Sequence, residues 1–157
     1  MKQDRFLIGI LAGIAVLIVA ALVVFFTRNQ EAGYRADQGP ADSVYNYVLA
    51  VMNRDYEKAY GYLADLEYKP TYEEFRQAFA VGRLVPGQGG IRIGSAAVTG
   101  DGASVEVVMV YSQGDPFSSG YDNVGSAQLL RQNGAWKISA MPAYNLWDYG
   151  WYQLQPK

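Results

Sequence analysis

Apolar and polar positions alternate along this chain in three successive regimes. From Phe6 to Phe26 the run "FLIGILAGIAVLIVAALVVFF" is unbroken by any charge. At about 1.5 Å per residue its 21 residues reach roughly 31 Å, the hydrocarbon thickness of a bilayer, which predicts a transmembrane helix over 6–26. The apolar region of a cleaved signal peptide runs only about 7–15 residues before a small-x-small site, and "FFTRNQEAG" offers no such site, so the helix reads as a retained signal anchor. Residues 27–39 are polar, without periodicity, and read as a linker. The second regime has a period near 3.6. Pro40 suits a first helical turn, and Val44, Tyr47, Val48 and Val51 then mark one helix face. After "NRD", Asp55 can cap a further helical stretch whose stripe is Tyr56, Ala59, Tyr60 and Leu63. "TYEE" at 71–74 is a capping box opening a helix that buries Phe75, Ala78 and Phe79, with Gly82 placed to end it. From Arg83 the period becomes two: "IRIGSAAV", the turn "TGDG", "ASVEVVMVY", a polar connection over 113–122, and then "NVGSAQLLRQ" and "AWKISAM" around Asn133-Gly134. Trp136, Ile138 and Ala140 share one strand face, Lys137 and Ser139 the other.

Helices first and strands afterwards predict an α+β domain, its helices covering one face of a curved antiparallel sheet. The order "PADSVYNYVLAVMNRDYEKAYGYLA", "TYEEFRQAF", and strands ending in "LLRQNGAWKISAM" resembles the nuclear-transport-factor-2-like superfamily, a cone-shaped, cystatin-like roll. The resemblance covers residues 40–142 and sets a domain at 40–143, followed by an aromatic tail at 144–157. It implies a superfamily that holds steroid isomerases and dehydratases working in a conical pocket, and many non-catalytic binding and scaffold domains. Conjugation and type IV secretion machines contain scaffolds with this anchor-plus-roll layout; a subunit of an electron-transport complex fits equally.

Charge and composition then remove several classes. A net charge of −2 with no long Lys/Arg cluster argues against nucleic acid. Without cysteine or histidine there is no thiolate or imidazole ligand and no serine-histidine triad, so no cofactor and no metal is expected. Lys2 and Arg5 before the span, against Arg28 and Arg35 diluted by Glu31 and Asp37 after it, orient the N-terminus to the cytoplasm. The domain is then periplasmic or extracellular, at the cell membrane. Gly9 and Gly13 form a G-x-x-x-G that can bring another membrane helix close. "GQGGIRIG" lacks the lysine and the strand-before, helix-after context of a phosphate loop, and Asp101, Asp115 and Asp122 lack calcium-loop spacing.

Glu106 is the one candidate general base, because along "VEVVMV" it shares a face with Val108 and Val110 that burial would carry inward. The tyrosines of the helical region could line a pocket for a small molecule or sugar. In the tail, Tyr144, Trp147, Tyr149, Trp151 and Tyr152 are the candidate partner- or ligand-binding residues. As an extra strand, Trp147, Tyr149 and Trp151 would present their rings on one side. Capping the domain's own roll and docking on another subunit both fit such a strip. The sequence therefore favours a non-catalytic single-pass membrane protein, an accessory or scaffold subunit whose partners are the lipid bilayer and other membrane subunits. A small-molecule or cell-envelope ligand-binding protein is the alternative, and an isomerase- or dehydratase-like enzyme the third reading.

Overall fold

Twenty-odd consecutive apolar residues leave a chain no conformation for its backbone polar groups in an apolar setting other than a helix, and Arg5–Arg28 is helix α1. The structure, a computed structural model, describes residues 5–28, 33–86, 89–111, 120–142 and 144–152, with side chains omitted at 5–7 and 24–28. The side chains described within α1, at 8–23, form a stretch shorter than the roughly 20 residues a crossing takes, and among the described residues no helix is long and apolar enough to cross a membrane. The 6–26 span thus rests on sequence. Gly9 and Gly13 meet nothing within 4 Å where a Cβ would stand.

The chain divides into two compact units, and everything from Tyr34 onward belongs to the second. Its helices are α2 (Pro40–Met52), α3 (Tyr56–Gly61) and α4 (Tyr72–Ala80), and its strands are β1 (Gly90–Thr99), β2 (Gly102–Tyr111), β3 (Tyr121–Gln132) and β4 (Ala135–Ala140). Local chemistry sets the boundaries. Asp55 accepts the Lys58 amide at the start of α3. Thr71 and Glu74 close a reciprocal capping box on α4, and Gly82 follows that helix at φ 74°. Asn133 and Gly134 both take positive φ, 52° and 81°, as a type I′ turn requires. The expected polar connection over 113–122 lies mostly outside the described residues, and its last two positions, Tyr121 and Asp122, already belong to β3.

The strands form one antiparallel sheet in the order β1-β2-β3-β4. Helix α2 lays Val44, Tyr47 and Val51 onto it, all essentially inaccessible, against Val105, Val107, Leu129 and Ile138. The β4 edge is closed by the segment after α3: Ala64 N donates to Ile138 O at 2.8 Å and Ile138 N to Tyr62 O at 2.8 Å. The β1–β2 ladder shifts between Ile93 and Ala96, so that Gly94 and Ser95 together oppose Glu106, a bulge that kinks the edge strand.

Candidate functional site

The tail is the first place to look, and its geometry differs from the strand that alternate spacing suggested. Residues 144–152 run as turns, opened by Tyr144 and Asn145 at φ 30° and 58°. The rings therefore do not line up on one side. Leu146, Trp147 and Trp151 are buried at 0, 4 and 7% exposure, whereas Tyr149 stands 63% exposed. Trp151 lies 5.1 Å from Phe75 and 4.9 Å from Trp147, ring centre to ring centre, and Trp147 lies edge-on to Tyr47 at 6.2 Å. Spacing of four, with a tight turn between, is what carries both indoles inward.

Polar ends fasten the same segment. Tyr47 donates its hydroxyl to Leu146 O at 2.6 Å, and Tyr152 donates to Ala64 O at 2.6 Å. Tyr144 donates to Asn123 O at 3.0 Å, and its hydroxyl and the Pro142 ring crowd the space where a Cβ on Gly125 would stand. Arg83 pairs with Asp148 at 2.6 Å, and Asp148 accepts the Gly150 amide at 2.8 Å. Only the Trp151 indole N–H is buried without an acceptor among the described residues. Residues 144–152 thus cap their own domain, and of the five rings singled out Tyr149 alone is mostly exposed.

Glu106 corrects a second expectation. In β2 the residues facing the helices are Ala103, Val105, Val107 and Met109, so Glu106 points to the opposite, open face and is exposed. Its carboxylate lies over Gly94, where no side chain opposes it. Nearby, Ser104 and Ser126 share a hydrogen bond at 2.6 Å and Gln128 donates to Ser126 at 2.9 Å. The inward placement that the expected general base depended on is therefore absent.

A different cluster had no signal in the sequence, because its members are scattered over the chain. Asp37, Gln38, Ser43, Tyr62, Arg131, Trp136 and Lys137 surround a cavity of about 280 Å³ beside the Asn133-Gly134 turn. Asn46, fully buried, fastens Asp37 and the segment before it: it accepts Arg35 N at 2.8 Å and donates to Arg35 O at 2.9 Å and to Asp37 Oδ1 at 2.6 Å. Tyr62 donates to Asp37 at 3.2 Å.

Burial and the Asp37 charge push the Tyr62 phenol up to about 12. Burial also raises Tyr47 and Tyr152. In the unfolded chain these phenols ionise near their ordinary value of about 10, so above that pH the folded state holds protons the unfolded state has lost. The stability they contribute is full below pH ~10 and declines as pH rises toward the folded values. Thermal unfolding followed from pH 8 to 12 is expected to show a melting temperature falling from about pH 10 upward, with a shallower fall in Tyr62→Phe. A flat profile across that window would contradict the burial of these hydroxyls.

No protein-family model and no curated protein matches the chain. Among solved structures, it is similar to a putative NTF2-like transpeptidase from Campylobacter jejuni at 15% identity and TM-score 0.45, over 66% of this chain and 100% of that one. It is also similar to a cystatin fold protein from Novosphingobium aromaticivorans, at 14% identity and TM-score 0.41 over 65% of this chain and 97% of that one. A SEC-C motif containing protein from Rhodopseudomonas palustris is similar at 14% identity and TM-score 0.41, over 66% of this chain and 79% of that one. Likenesses at this level fall short of assigning a family.

Proposed function

We propose that the chain is a single-pass membrane protein, anchored through residues 6–26 with its N-terminus in the cytoplasm. Its extracytoplasmic domain, of nuclear-transport-factor-2-like type, is a non-catalytic interaction module in an accessory or scaffold subunit of a larger membrane assembly. One observation carries this reading. The space between helices and sheet, where a roll of this kind would hold a substrate, is occupied by the chain's own Trp147 and Trp151 against Tyr47 and Phe75. Side chains in that space favour work at the outer surface over a lyase or isomerase acting inside the roll. The length and apolarity of the 6–26 run support the anchor.

Two measurements test it. Alkaline carbonate washing of native membranes should leave the chain in the pellet, and release into the supernatant would overturn the anchor. Purification of the intact chain in mild detergent, with mass spectrometry of what co-migrates, should recover a defined set of membrane proteins at stoichiometric amounts. A lone monomer would overturn the scaffold role.

A further inference from the structure

We propose that the cavity beside the Asn133-Gly134 turn is a binding site for an amine-bearing phosphate ester, the chemistry of a phosphoethanolamine group. Three features of its wall point to an anionic end. The Arg131 guanidinium stands 5.8 Å from the Trp136 ring centre and has no carboxylate partner among the described residues. Lys137 also lines the cavity and spends one ammonium proton on the Gly61 carbonyl. Ser43, in the first turn of α2, is 3% exposed and lines the cavity. That helix starts at Gly39 with no side chain capping it, and Gln38 and Ser43 on either side of its start line the cavity. Asp42, the acid of that turn, faces Arg35 at 3.8 Å and is not part of the wall.

The same lining supplies the other sign. Asp37 is held by Asn46 and Tyr62, which fix its direction without removing its charge. Two cations and one carboxylate among the lining residues match a ligand with a dianionic or monoanionic phosphoryl group at one end and an ammonium at the other. A volume of about 280 Å³ exceeds what a bare phosphate fills and leaves room for the ethanolamine arm. Asp37 and Gln38 belong to the segment by which the chain enters the domain, so a phospholipid headgroup is the source that the proposed anchoring would offer. The site itself stands without that anchoring, and neither test above bears on it.

The test is calorimetric titration of the full chain in non-ionic detergent with phosphoethanolamine, glycerol 3-phosphate and dihexanoyl-phosphatidylethanolamine. Saturable binding of phosphoethanolamine is expected, weakened at least tenfold in Arg131→Gln, at an exposed position, and in Lys137→Gln, at a half-buried one. Tighter binding of the short-chain lipid than of the free ester would identify a membrane source, and equal binding a soluble one; both support the site. Absence of saturation, unchanged affinity in both variants, or equal affinity for glycerol 3-phosphate would overturn it.

Discussion

Trp151→Ala is expected to destabilise the domain by about 3–5 kcal/mol, the range for emptying a large aromatic site in a packed core. For a domain of this size that lowers the melting temperature by on the order of 10–15 °C. The expectation follows from its contacts: the indole is 7% exposed, stacks obliquely on Phe75 and meets Trp147 edge-on. Its unsatisfied N–H reduces the penalty slightly, since the deletion also removes a buried donor that lacks a partner. Tyr149→Ala, two residues away and 63% exposed, should change stability by no more than about 0.5 kcal/mol. Circular dichroism melts of the two variants check the pair. A Trp151→Ala protein melting within 2 or so degrees of the parent would mean that the tail lies on the surface after all. The contrast also governs how partner loss is read: a complex lost with Trp151→Ala reports unfolding, while one lost with Tyr149→Ala reports an interface.

That difference between neighbouring rings marks the limit of what the sequence displays. Helices α2 to α4 were legible because their signals are local: a 3.6-residue stripe, the Asp55 cap and the Thr71–Glu74 box each act within a turn or two. The β3–β4 hairpin was legible for the same reason, since Asn133-Gly134 carries its own backbone preference. Glu106 was placed on the wrong face because "VEVVMV" is apolar in both phases. Val107, Val108 and Met109 are all buried, so alternation there cannot select a side, and the choice falls to Ala103 and Val105 further back. The bulge at Gly94 and Ser95 depends on pairing with a distant strand and leaves no local trace. In the tail, the composition announced an aromatic cluster, but two left-handed residues at its start decide which rings turn inward. The cavity lined by Asp37, Ser43, Tyr62, Arg131 and Lys137 draws on three separated stretches, and only the folded chain brings them together.

The second large effect concerns the fastening of the chain's entry into that domain. Asn46→Ala is expected to cost about 3 kcal/mol, or roughly 10 °C in melting temperature. Asn46 is fully buried on α2 and makes three hydrogen bonds to the incoming segment, two to the Arg35 backbone and one to Asp37. Removing the amide takes these partners from the Arg35 N–H and C=O and from the Asp37 carboxylate at a part-buried junction. Asn46→Asp separates this account from simple loss of volume. It keeps the shape and the acceptor but replaces the donor to Asp37, 2.6 Å away, with a second carboxylate oxygen. Repulsion and burial both raise the folded-state pKa of that new pair above its unfolded value. The folded state then binds the extra proton first, so the variant is least stable at neutral pH and recovers as pH falls toward 4–5. At pH 7 it should melt below Asn46→Ala, and the order should narrow or invert in acid. Equal melting temperatures at both pH values would mean that Asn46 acts through packing alone. Limited proteolysis supplies the structural counterpart, because a released segment at 33–39 is cut before the helices and strands are. Loss of that fastening would also free Asp37 from the wall of the cavity, so phosphoethanolamine affinity should fall in Asn46→Ala while the Arg131 side of the site is left in place.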